Sequence, residues 1–304
     1  MPGLRPLAFG EILDASFNLL GRQWRTLAAI TLAVASPAIA ISTLIVFALA
    51  PEQFDLEATQ SPLLALTEPG QGGVLAAIGG ARLLEVAATT LAMMACLQVV
   101  GRAYAGRESD ARGALAFALP RLPRAVGLVV VAGIGVGLGL LLIVPGIWLG
   151  TVWSLALPAL LLERLGVLRA LARSQEIVRG RFWTVLGLLA LSLAMVLLIS
   201  VLLAALIGGF AAIVAGDSEA SGAAAAFVAG VGSVVVTAPL LSAVLMVLYV
   251  DQRVRAERFD LEDLARCVGG GAGAPPPRSQ AGLGERPGEL PSGWLPPSPP
   301  PGAK

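Results

Sequence analysis

Arg82 and Glu85 are the charged residues with the most to say about chemistry. They stand three apart, so a helix carries both on one face, and they open an otherwise apolar stretch. Two placements follow. At a membrane surface Arg82 snorkels outward and Glu85 pairs with it. A turn or more inside the hydrocarbon, the same intramembrane charge pair is a candidate functional site, because an ionised group there is costly. Both placements remain open on the sequence. Other reactive groups are scarce. The chain has no histidine, hence no imidazole base, no Ser-His or Cys-His nucleophile and no histidine-bound zinc. Its one lysine, Lys304, lies in a proline-rich tail, and no apolar stretch holds two carboxylates, which removes Ser/Lys and acid-pair mechanisms. Cys96 falls in an apolar run and Cys267 in a charged segment. Two thiols so placed form neither a CxxC nor a Cys₄ site and read as inert. The expectation is a protein that is not an enzyme and binds no cofactor or metal.

Gly133, Gly135, Gly137 and Gly139 invite comparison with a phosphate-binding loop. They sit in an uncharged run with no strand before them and no basic residue after. Small residues at helical spacing let helices approach closely, so these four are expected at a helix-packing face.

The elements that must carry these residues follow from composition. Hydrophobic residues make up 56% of the 304 residues and charged residues 13%, about half the charged share of a soluble domain, and the mean hydropathy is +0.82. A membrane-crossing helix takes about 20 apolar residues. Stretches 26–50, 125–144, 147–162, 184–210 and 222–250 are free of charge, and 83–100 is apolar apart from Glu85. The fold class expected is an all-α integral membrane protein with about six transmembrane helices. Ala48-Leu49-Ala50 has the form of a signal-peptide cleavage site, but Pro51 follows and the apolar run is too long, so the first span is read as retained.

Basic residues gather on the cytoplasmic side of membrane proteins. Segment 51–73 has four acids and no Lys or Arg, and 211–221 has Asp217 and Glu219 and no basic residue. Segments 101–124 and 163–183 carry five arginines each, and Arg5, Arg22 and Arg25 precede the first span. Six spans with both termini in the cytoplasm satisfy this alternation.

Residues 1–25 hold a cytoplasmic amphipathic helix. Phe9, Ile12, Leu13, Phe17, Leu20 and Trp24 share one face, with Arg22 and Arg25 on the other. It either lies in the headgroup plane or packs on the ends of the bundle. Residues 167–183 repeat the pattern, and Gly180-Arg181-Phe182-Trp183 echoes Gly21-Arg22-Gln23-Trp24. Residues 110–124, ending in Arg121 and Arg124, are a weaker third copy, so the repeat is two-fold or three-fold. Arg22, Arg25, Arg121, Arg124, Arg179 and Arg181 are candidate contacts for anionic lipids. The six-span domain covers 26–250, a charged cytoplasmic segment covers 251–268, and the Pro/Gly-rich tail 269–304 is expected to be disordered. Pro37, Pro145, Pro158 and Pro239 fall in or beside spans, where a break exposes carbonyls and a kink serves packing.

Four stretches carry a resemblance: Arg5-Pro6-Leu7-Ala8-Phe9-Gly10-Glu11-Ile12-Leu13-Asp14, Pro145-Gly146-Ile147-Trp148-Leu149, Arg179-Gly180-Arg181-Phe182-Trp183, and Arg253-Val254-Arg255-Ala256-Glu257-Arg258-Phe259-Asp260-Leu261-Glu262. In order and spacing the set resembles the bacterial glycerophosphoryl diester phosphodiesterase membrane-domain family, over roughly residues 4–266. Arg258 departs from the pattern, which has glycine there. Relatives that fuse this domain to a phosphodiesterase barrel use paired histidines and acids. With no histidine and no room for a barrel, the resemblance implies the membrane domain alone, in the bacterial cell membrane, with no catalytic residue to carry over. The function expected is a non-catalytic scaffold or accessory subunit, the alternative a transporter or lipid-handling protein using the Arg82/Glu85 region. Membrane lipids are the expected partners, with other membrane or cytoplasmic proteins as candidates. A net charge of +1 supplies no field for nucleic acid, and the oligomeric state is left open.

Overall fold

A computed structural model of the chain describes residues 9–49, 72–215 and 218–257. The tail 269–304, most of the acidic segment 51–73, and the outer parts of the first and last resemblance motifs lie outside the described residues. Those described are helical with short connections. The helices are α1 (Phe9–Leu49), α2 (Gly72–Tyr104), α3 (Ala111–Ala118), α4 (Leu122–Leu140), α5 (Val144–Trp153), α6 (Ala156–Glu163), α7 (Val167–Arg179), α8 (Phe182–Ala215) and α9 (Glu219–Glu257). A short 3₁₀ turn, Leu119–Arg121, joins α3 to α4.

Six stretches are long and apolar enough to cross a membrane: Gly10–Leu49, Gly72–Tyr104, Ala111–Leu140, Val144–Glu163, Phe182–Ala211 and Ala220–Val254. Helices α1, α2 and α9 pack together, α8 lies along α9, and α4 and α5 form a hairpin. The core concentrates where α9 (Ala243 to Val250), the second half of α2 (Met94 to Val100) and α6 meet. Helix α8 is peripheral, since 6% of its most apolar window is buried against 56% for α9. Leu193, Leu197, Leu202, Leu206 and Phe210 all stand exposed on it.

Four features correct or sharpen the sequence reading. Residues 9–25 are not a separate helix in a headgroup plane. They are the first turns of the 41-residue α1, in which no proline falls before Pro37 to interrupt the helix. Ile12 and Ser16 are buried there, while Phe17 and Trp24, assigned to the apolar face, stand exposed. Helix α2 begins at Gly72, next to the earlier of the two starts, Val74 and Leu83, that the sequence leaves open. The fourth span is broken between Trp153 and Ala156. Pro158 has no N–H to donate to the Ser154 carbonyl and its ring crowds it. Helix α9 runs on past Val250 into the segment read as charged and cytoplasmic, and there Asp251, Gln252 and Arg253 are buried at 3%, 3% and 4% exposure.

The break in the fourth span is stitched from outside. Ser174 of α7 accepts a hydrogen bond from the Leu155 N–H at 3.2 Å and donates to the Val152 carbonyl at 2.6 Å. Both backbone groups are thereby satisfied in the interior. This side chain adds to the docking of α7, an amphipathic helix with Ala170, Leu171, Ile177 and Val178 buried.

The α4–α5 hairpin depends on two glycines. A Cβ at Gly146 would stand 2.5 Å from the Leu140 nitrogen, and one at Gly139 would stand 2.9 Å from the Gly146 Cα. Gly135 faces the Trp153 ring, where a Cβ would come within 2.5 Å, whereas Gly133 and Gly137 have nothing within 4 Å. Close approach therefore uses Gly135 and Gly139 of the four.

Candidate functional site

Glu163, the last residue of α6, is the centre of a charged cluster inside the bundle. Its side chain is 10% exposed. Tyr249 of α9, fully buried, donates its hydroxyl to Glu163 Oε1 at 2.5 Å. Arg173 of α7 donates Nε–H to both carboxylate oxygens, at 3.3 and 3.2 Å, and reaches Glu176 at 3.3 Å through Nη1. Arg253, 5% exposed at its side chain, places Nη1 3.9 Å from Glu163 Oε1 and donates to the Tyr249 hydroxyl at 3.5 Å. One carboxylate thus gathers α6, α7 and α9. Burial lowers the pKa of the Arg173 guanidinium, but the Glu163 carboxylate and the hydrogen bonds to Glu163 and Glu176 outweigh it, and the net direction is upward. The cluster is an ion-paired core.

Sequence reasoning missed this cluster. In the sequence Glu163 only ends the uncharged run 147–162, and Arg173 is one of five arginines in segment 163–183. A signal was present: Tyr249 and Arg253 are four apart, one helical turn, across the end of an apolar run. That both turn inward depends on α6 and α7 being there to meet them.

The Arg82/Glu85 pair forms, with Nη1 to Oε2 at 2.8 Å. Glu85 also accepts from the Ser42 hydroxyl of α1 at 3.1 Å, so the pair is an interhelical contact. Arg82 is 58% exposed at its side chain and Glu85 27%. Ser42 lies about 25 Å along α1 from Arg25 by helical rise.

The candidate lipid arginines do not form one site. Arg121 and Arg124 line a cavity of about 230 Å³ with Arg164, Pro120, Leu160 and Leu165. Arg22 lines a separate hollow with Asn18, Leu19 and Tyr104, between α1 and α2. Arg25 and Arg179 are exposed, and Arg181 is half-buried. Arg164, like Glu163, was not singled out from the sequence. Cys96 is fully buried in α2. Among the described residues, no group of three His, Cys, Asp or Glu side chains is placed to hold a metal ion. Comparison of the chain with protein-family models, with curated proteins and with solved structures returns no match.

Proposed function

We propose that this chain is a non-catalytic multi-pass protein of the bacterial cell membrane, with both termini in the cytoplasm, that works as a scaffold or accessory subunit. The reading includes membership of the glycerophosphoryl diester phosphodiesterase membrane-domain family as a stand-alone membrane domain. The observation that carries it is the state of Glu163. The most enclosed carboxylate of the cluster is spent on Tyr249, Arg173 and Arg253, so the site's polar groups tie helices together. The uncovered apolar faces of α8 and of the α4–α5 hairpin support contact with lipid and with other spans. The arginine alternation along the chain supports the orientation.

Two experiments test this. A reporter fused after Ala58 should be active only on the outer side, and activity inside the cell overturns the topology. Affinity capture from mild detergent should return one partner at fixed stoichiometry. A chain that repeatedly purifies alone, or that turns over a lipid phosphodiester, overturns the scaffold reading.

A second reading, transport or lipid handling through the Arg82/Glu85 region, is favoured by the Ser42–Glu85 contact between two candidate spans. Glu85→Gln should then abolish a measurable flux, and an unchanged flux removes this reading.

A further inference from the structure

We propose that the cavity lined by Arg121, Arg124 and Arg164 is a binding site for a single phosphate group, of the phosphomonoester or phosphodiester class. These three arginines come from three successive places in the fold: a 3₁₀ turn, a helix and a helix end. Arg121 closes the 3₁₀ turn before α4, Arg124 is one turn further on, and Arg164 follows the C-terminus of α6. All three line the same cavity. Among the described residues no carboxylate pairs with any of them. The neighbouring acid, Glu163, is turned into the bundle and held there by Tyr249 and Arg173.

Three guanidiniums gathered without an acid repel one another, and an anion between them relieves the repulsion while accepting charge-assisted hydrogen bonds. Arg121 bears both burial and the like charges of Arg164 and Arg124. Its direction is set locally. The guanidinium lies 3.9 Å from the centre of the Phe117 ring and donates to the Phe117 carbonyl, so it is pre-positioned.

Arg164 supplies the second, independent observation. Its φ is +53° and its conformation left-handed, at the position where a helix ordinarily ends in glycine. A left-handed non-glycine residue costs stability and tends to mark a functional site. Glycine would end α6 without strain, and arginine stands there with its side chain on the cavity. Pro120, Leu160 and Leu165 complete the lining with apolar surface, suited to the glycerol and acyl carbons that a lipid phosphate carries.

The phosphate has two sources, a lipid headgroup or a soluble phosphate, and the arms of the test separate them. The lipid source rests on the membrane reading above, and the soluble source does not. The probes are dihexanoyl phosphatidylglycerol, dihexanoyl phosphatidylcholine, inorganic phosphate and glycerol phosphate, titrated into the full chain in uncharged detergent. Phosphatidylglycerol binding at least about tenfold tighter than phosphatidylcholine supports the site with a lipid source. Inorganic or glycerol phosphate binding as tightly as phosphatidylglycerol supports it with a soluble source. Arg164→Gly is the decisive variant. It removes the strain, so the denaturation midpoint should hold or rise, while anion binding falls about tenfold or more. R107Q/R112Q/R169Q removes three exposed arginines elsewhere on the chain and should bind like the parent. Two results overturn the proposal: no probe binds the parent chain, or Arg164→Gly binds as the parent does.

Discussion

Replacing Glu163 by glutamine keeps the shape of the side chain and removes its charge. Arg253, 5% exposed, and Arg173, 22% exposed, then face each other across an uncharged amide. At an effective dielectric of about 20, unit charges at the 3.2 Å separation of Arg173 and Glu163 attract by about 5 kcal/mol, and at the 3.9 Å of Arg253 by about 4 kcal/mol. Desolvation of the arginines is already incurred in the folded state, and loss of one partner from a buried pair typically costs about 3–5 kcal/mol. The expected loss for Glu163→Gln is in that range. The assay is unfolding of the full chain in mixed dodecyl maltoside and SDS micelles, followed by tryptophan fluorescence. Tyr249→Phe removes one hydrogen bond to a charged acceptor and should lose about 1.5–3 kcal/mol. In the double variant Glu163→Gln/Arg253→Gln, the more buried of the two guanidiniums that lose this carboxylate is gone as well, and the loss should be less than additive by at least about 1 kcal/mol. A Glu163→Gln loss below about 1 kcal/mol refutes the reasoning, because that is the size of a solvated surface pair.

Three further outcomes are expected. Gly146→Ala places a methyl 2.5 Å from the Leu140 backbone and should lose about 1–3 kcal/mol in the same micelle titration, while Gly137→Ala, with open space around it, should hold or gain up to about 1 kcal/mol; equal effects at the two sites would contradict the hairpin geometry. Ser174→Ala leaves the Leu155 amide and the Val152 carbonyl unsatisfied in the interior and should cost about 1–3 kcal/mol, with faster amide exchange at Leu155 as the local signature. In a Cys267→Ser background, fully buried Cys96 should resist maleimide in membranes and react once SDS unfolds the chain; rapid native labelling would show α2 to be more open than described.

Much of the architecture was legible in one dimension. Uncharged runs of about 20 residues have few alternatives to helices, and five of the six candidate spans show as such runs, the sixth, 83–100, being apolar apart from Glu85. What misled the reading was continuity. Charge at Arg22 and Arg25 suggested a helix boundary, yet helix propagation needs only backbone compatibility, and α1 runs through. The break at Ser154 and Leu155 was signalled by Pro158, but its repair by Ser174 lies 19 residues away in sequence.

Composition and periodicity alone therefore determined the helical class, the number of candidate spans, the clustering of arginines in alternate connections and the lack of imidazole chemistry, since each is a sum or a short-range pattern along the chain. Tertiary structure decided which charges are spent on holding the bundle together and which are left over. Glu163 and Arg164 are adjacent, and only the packing of α6 against α7 and α9 turns the first inward to Tyr249 and Arg173 while the second lines a cavity with Arg121 and Arg124. Burial and partner geometry are properties of neighbours distant in sequence, and no local pattern encodes them.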